Sequence, residues 1–245
     1  MKKRPGISKM IIAPSFLLLI CFLSPVSAQH RMKVTVSIPP QKYLVHKIGG
    51  DLVDISVMVL PGSSPATYEP KPKQMVRLTE SRIYFAIGVS FEEVWLKKFA
   101  QANPEMKIIA TQNGIEKIPM KRHRHNDKER NHNKGVAHTG TKDPHIWLSP
   151  PLVMLQTRNI LDALVRVDPT NRGIYESNYK NFITELVHLD IKISNLFADA
   201  GQGTQFMVYH PAWGYFAEAY GLIQIPVEME GKKPTPRGLQ QLIRR

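Results

Sequence analysis

Cysteine is almost absent from this chain. Its 245 residues include one, Cys21, inside an apolar stretch near the N-terminus. If that stretch is lost on export, the remainder can form neither a disulfide nor a thiolate metal site. A zinc-type site would then have to be built from His, Asp and Glu. Acidic residues are also in short supply, with 20 Asp and Glu against 33 Lys and Arg, a formal charge of +13. Such an excess suits nucleic acid or an anionic surface, although an exported chain rarely meets nucleic acid. No apolar run is long enough for a comfortable membrane span, because the stretch 11–23 is short and interrupted by Pro14. GxSxG, P-loop and HExxH patterns are missing, and no nucleophile stands beside an evident base.

What is present begins with an export signal. Lys2, Lys3 and Arg4 form a basic start, residues 11–23 an apolar centre, and Val26-Ser27-Ala28 a small-residue cleavage site. Residues 1–28 are therefore read as a signal peptide, leaving a periplasmic or secreted chain. A retained anchor is the alternative. A lipoprotein built on Cys21 is disfavoured by the bulky Ile20 before it.

Downstream, strand-like and helix-like segments alternate. The pattern predicts strands at 33–38, 54–60, 82–87 and 107–110, and helices at 40–48, 73–81, 90–101 and 151–167. Ser90 is expected to cap the third helix, with Glu93 at the capping-box position. This order argues for an α/β fold with parallel sheets and helices on both faces. Such sheets bind ligands at the carboxyl ends of their strands, and residues 63–69 and His145 would share that rim. From Asp168-Pro169-Thr170-Asn171 onward, Tyr175, Tyr179, Phe182, Leu186, Leu189, Ile193 and Leu196 recur at steps of four and three. That stripe marks one long helix, either packed along its own domain or forming a coiled-coil seam. After Gly201 and Gly203, strands at 204–209 and 223–228 enclose a helix at 212–220, and another helix begins at 238. One such unit cannot cover both faces of a sheet, so the second lobe is expected to be incomplete.

Histidine is where chemistry concentrates. Five of the nine histidines fall between His123 and His145. His123, His125, His132 and His138 lie in a basic, apolar-poor tract, which reads either as a solvated loop or as a metal-capture segment. His145, in Asp143-Pro144-His145-Ile146-Trp147-Leu148, and His210, in His210-Pro211-Ala212-Trp213, are each expected directly after a strand, near Pro and Trp. They read either as satisfied core histidines or as rigidly held metal ligands. Among nearby acids, Asp143 suits a turn cap, Glu69 a turn or a metal, and Glu228 and Glu230 are ambiguous.

The phrases PGSSPATYEPKPKQM, FEEVWLKKF, DPHIWLSP, DPTNRGIYESNYKNF and VYHPAWGYFAEAYGL occur in that order. Together they resemble the zinc/manganese substrate-binding proteins of bacterial ABC importers, across essentially the whole chain after the signal. The resemblance implies two Rossmann-like lobes joined by one long backbone helix: an N-terminal lobe at 29–169 with a histidine-rich loop at 121–142, a connecting helix at 170–200, and a partial C-terminal lobe at 201–245. It implies one metal in the interlobe cleft, zinc first and manganese second, and delivery to a membrane permease by a monomer that is not an enzyme and does not bind nucleic acid. His145 and His210 become cleft ligands, and His123, His125, His132 and His138 a capture loop. The chain departs from the family pattern in two places. Ala66 stands where the family usually has a ligand His, so a water, Glu69 or a loop histidine would have to fill that position. The family's carboxylate ligand near the C-terminus falls beyond residue 245, so the chain reads as C-terminally truncated. The rival readings are a secreted zinc-dependent hydrolase using His145, His210 and Glu69, and a surface adhesin that binds polyanions through the basic loop.

Overall fold

The computed structural model describes residues 31–65, 67–120, 142–228 and 240. The signal segment, Ala66, the loop histidines His123, His125, His132 and His138, Glu230 and the helix expected from 238 (apart from Gln240) lie outside them. The first lobe alternates as expected: β1 (Met32–Val36), α1 (Pro39–Gly49), β2 (Val53–Val57), α2 (Pro72–Thr79), β3 (Ile83–Ala86), α3 (Ser90–Ala102) and β4 (Lys107–Ala110). The strands form one parallel sheet in the order β2-β1-β3-β4. Chain direction across the sheet reverses between β1 and β3, so the ligand crevice of such a fold opens at their carboxyl ends.

Side-chain alternation along the strands divides the core into two layers. Ile83 and Phe85 of β3 pack with Val34 and Val36 of β1 on the face covered by α1, α4 (Pro150–Val167) and α5 (Arg172–Leu196). Tyr84 and Ala86 point the other way, into a cluster with Leu78 of α2 and Phe91 and Phe99 of α3. A sheet covered on both faces needs apolar residues at successive positions, and β3, Ile-Tyr-Phe-Ala, is buried along its whole length.

The stripe on the long helix packs along its own chain, not as a free seam. Tyr175, Phe182 and Leu186 are buried against α1 and α4. The phrase before α5 explains its start. Pro169–Asn171 forms a single 3-10 turn, and the Asp168 carboxylate accepts hydrogen bonds from Asn171 Nδ2 and the Tyr175 hydroxyl, each at 2.7 Å. The 25 residues of α5 reach about 37 Å at the usual helical rise. Its later turns carry the second lobe, in which β5 (Thr204–Val208), α6 (Gly214–Ala219) and β6 (Leu222–Pro226) make a two-stranded parallel sheet with one helix. Tyr220 donates its hydroxyl proton to Asp190 of α5 at 2.7 Å, and Phe197 meets the rings of Phe216 and Tyr220. No helix among the described residues is long and apolar enough to cross a membrane.

Two local expectations need correcting. Ser90 is the first residue inside α3 rather than its cap; Val89 holds the cap position, and the Ser90 hydroxyl donates to the Pro65 carbonyl. The carboxylate that reaches back over the helix start belongs to Glu92, not Glu93. Residue 92 lies on the same helix face as the core residues Trp95, Leu96 and Phe99, whereas Glu93 is exposed.

Phe182 is 3% exposed, sits edge-on to Tyr43, and lies under the Lys47 ammonium. Phe182→Ala is expected to cost about 3–5 kcal/mol in urea unfolding. Leu196→Ala, at a position 74% exposed, should stay within about 0.5 kcal/mol of the parent.

Candidate metal centre

The crevice between β1 and β3 is already occupied by protein. Glu92, 3% exposed, fills it with a carboxylate that accepts hydrogen bonds from the backbone N–H groups of Ile87 (3.0 Å) and Gly88 (2.7 Å) and from the Ser37 hydroxyl. Burial raises its pKa, and those donors, with the nearby Lys117 charge, pull the other way. The Lys117 ammonium bonds the carbonyls of the same two residues, Ile87 at 3.0 Å and Gly88 at 2.9 Å, while burial lowers its own pKa. Gly88 adopts φ 76°, and a Cβ there would come within 2.4 Å of Lys117 Nζ. The positive φ favours glycine, whereas the close neighbour is the movable end of a lysine side chain. The polar pair thus occupies the carboxyl ends of β1 and β3.

His145 lies further along that rim. It does not follow a strand directly. The described residues leading to it hold one antiparallel bridge, Pro119 with Lys142, and His145 then caps the 3-10 turn Ile146–Leu148 that runs into α4. Ile146, fully buried, anchors the turn. Asp143 is more than a turn cap. It is buried, and its Oδ1 accepts both the His145 backbone N–H at 2.9 Å and the ring Nδ1–H at 2.7 Å. A carboxylate can only accept, so the proton sits on Nδ1 and the Nε2 lone pair is left for a metal.

The second lobe repeats the device. His210 stands in the turn after β5, where its carbonyl accepts the Ala212 N–H at 2.8 Å. Pairing of the two strands continues beyond their ends, with Val227 N–H to Val208 O and Glu228 N–H to Tyr209 O, both 2.8 Å. This sets Glu228 beside His210, and the ring Nδ1 meets its Oε2 at 3.2 Å. The two imidazoles meet edge to face across the lobes, with centroids 5.2 Å apart and planes at 77°. Trp147 lies edge-on to His145 at 5.1 Å.

The other sequence candidates are not drawn in equally. Glu69 is exposed in the loop after β2, with no hydrogen bond to either histidine. Among the described residues, no group of three or more His, Cys, Asp or Glu side chains converges to hold a metal ion. Sequence reasoning missed Glu92 and Tyr215. Glu92 had a readable signal, since helical phase puts it on the apolar face of α3. Tyr215 had none beyond its phrase. It is 4% exposed, donates to the Asp143 carbonyl at 2.7 Å and accepts the Ile118 N–H at 3.1 Å; burial pushes its pKa up to about 12.

A family model described as zinc-uptake complex component A, periplasmic, matches residues 34–245. A crystal structure of ZnuA aligns with a TM-score of 0.74 and 42% identity, over 87% of this chain and 77% of that one. The high-affinity zinc uptake system protein ZnuA of Bacillus subtilis (strain 168) is 26% identical over 80% of this chain and 61% of its own length. The iron ABC transporter substrate-binding lipoprotein MtsA of Streptococcus pyogenes serotype M1 is 27% identical over 80% of this chain and 62% of its own. The chain thus spans about three-fifths of these curated relatives.

The raised pKa of Glu92 has a signed consequence. The folded state binds this proton more readily than the unfolded chain, whose carboxyl titrates near 4.5. Stability is therefore lost as pH rises from that value through the folded pKa. In urea melts, wild type should lose stability relative to Glu92→Gln as pH rises above 4.5. Parallel curves would show that the buried carboxylate exerts no such cost.

Proposed function

The chain belongs to the periplasmic zinc-uptake component A family, its model matching residues 34–245, and on that basis we propose that it captures a divalent transition metal between its lobes for delivery to an ABC-type permease. The observation that carries this reading is the pair His145 and His210. They stand on different lobes with ring centroids 5.2 Å apart, each with its Nδ1 engaged by a carboxylate. Neither Nε2 is claimed by a hydrogen bond among the described residues. Capture requires donors oriented in advance and released together, and two imidazoles on separate bodies meet both needs. Binding and handover, not catalysis, are the activity.

Imidazole donors favour zinc, with manganese second because it prefers more oxygen ligands. The relatives' own names point to zinc for the Bacillus protein and iron for the streptococcal one. Glu69, on the loop after β2 at the same end of the sheet, is the proposed carboxylate donor, since no hydrogen bond in the described residues competes for it. His123, His125, His132 and His138 are the proposed capture ligands. The proposed organisation is a signal peptide at 1–28 cleaved after Ala28, an N-terminal lobe at 29–169, a connecting helix at 170–200 and a second lobe at 201–245, working outside the cytoplasm as a monomer. Family membership leaves the hydrolase and polyanion readings without support.

The test is a zinc titration against a competing chelator on the chain without residues 1–28. One tight site is expected in wild type. His145→Ala and His210→Ala should each weaken it by about 100-fold or more, since even the groups that only orient a ligand are worth 10–100-fold. Protons and metal compete for the same Nε2 lone pairs, so affinity should fall with acidification. Wild-type binding no tighter than that of the double alanine variant would end the proposal.

A further inference from the structure

We propose that Tyr215 is a positioning residue, whose hydroxyl fastens the second lobe to the Asp143 peptide and thereby sets the separation of His145 and His210 before metal arrives. The inference rests on reading those two histidines as the metal donors. Tyr215 belongs to α6 of the second lobe, five residues beyond His210. Its ring nevertheless packs inside the first lobe's second core cluster, together with Ile146. There it closes a three-membered cycle of hydrogen bonds. Ile118 N–H donates to the Tyr215 hydroxyl at 3.1 Å, that hydroxyl donates to Asp143 O at 2.7 Å, and Asp143 N–H donates to Ile118 O at 2.9 Å. The bond to Asp143 is buried and that from Ile118 half-buried, so losing the hydroxyl leaves an acceptor and a donor without their partner.

The cycle matters because of what else Asp143 does. Its carbonyl is held by the second lobe, and its carboxylate orients the His145 ring. One residue thus receives the position of one lobe through its backbone and sets a ligand of the other through its side chain. A second contact supports this independently. At Gly214, next to Tyr215, a Cβ would lie 2.8 Å from Asp143 Oδ2 and 3.2 Å from Ile118 Cδ1. The α6 backbone therefore runs close beside the same Asp143, and a methyl at 214 would force its carboxylate to shift. The packing of α5 places the second lobe as a whole. The Tyr215 and Gly214 contacts add a local tie at the residue that orients His145.

The experiment uses zinc as the probe, on the same mature chain. Tyr215→Phe keeps the ring in its core site and removes only the hydroxyl. Zinc affinity is expected to fall about 10-fold, mainly through faster dissociation, in line with the loss of a group that orients a ligand. Cobalt(II) bound in zinc's place should show a shifted visible spectrum, a readout that a purely structural role would leave alone. Losses from Tyr215→Phe and Asp143→Asn should not add, because both act on His145. Losses from Tyr215→Phe and Glu228→Gln, which acts on His210, should add. Gly214→Ala, with the hydroxyl intact, should weaken zinc in the same direction. Unchanged affinity and cobalt spectrum in Tyr215→Phe would overturn the proposal, and so would additivity with Asp143→Asn. If wild type itself bound no zinc, the functional reading would fall with it, and that outcome is told apart by the wild-type titration alone.

Discussion

The burial of Tyr175, Phe182 and Leu186 of α5 against α1 and α4 is the contact on which everything else depends. A cavity between two lobes has a defined width only if the element joining them is fixed to one of them. The first half of α5 is fixed in this way, through its apolar stripe and the ion pair between Lys47 and Glu185. Its second half is then held out as a rigid arm for β5, α6 and β6. The cost falls on the later stripe positions. Leu189 is 45% exposed and, with Ile193, Trp213 and Phe216, it lines an interlobe cavity of about 490 Å³.

Electrostatics at the rim obey one rule used three times: a carboxylate placed where it must accept from a chosen donor. Glu92 accepts from backbone amides and closes the crevice of the sheet. Asp143 and Glu228 accept from imidazole Nδ1 and leave each Nε2 uncommitted. The first carboxylate occupies the place where sheet topology would put a ligand, and the other two stand beside the histidines of the proposed site. The order β2-β1-β3-β4 alone would have placed the ligand over β1 and β3.

Much of this was legible from periodicity. The four β-α alternations, the long helix and the β-α-β unit after it are all written in apolar spacing, because burial on a sheet face or a helix stripe imposes periods that a chain must carry in its residues. The DPTN phrase announced its turn for a similarly local reason, since proline suits the first position of a helical turn and the Asp168 carboxylate bonds Asn171 and Tyr175 just beyond it. The errors were also local in origin. Ser90 and Glu93 fit a capping box as written, but the helix is phased by Phe91 and Phe99, and that phase turns Glu92 inward. His145 was placed after a strand because its phrase is apolar, whereas Pro144 and the Asp143 carboxylate bend it into a 3-10 turn.

The sequence by itself determined the fold class, the family phrases and the two histidines worth suspecting, because each depends on residue type and near-neighbour spacing. Tertiary structure alone decided that the two imidazoles meet and that a tyrosine from one lobe closes a hydrogen-bonded cycle in the other. Those contacts join residues 65 to 97 positions apart along the chain. No local period encodes such a distance. It is set by how α5 packs, and packing is a property of the whole core.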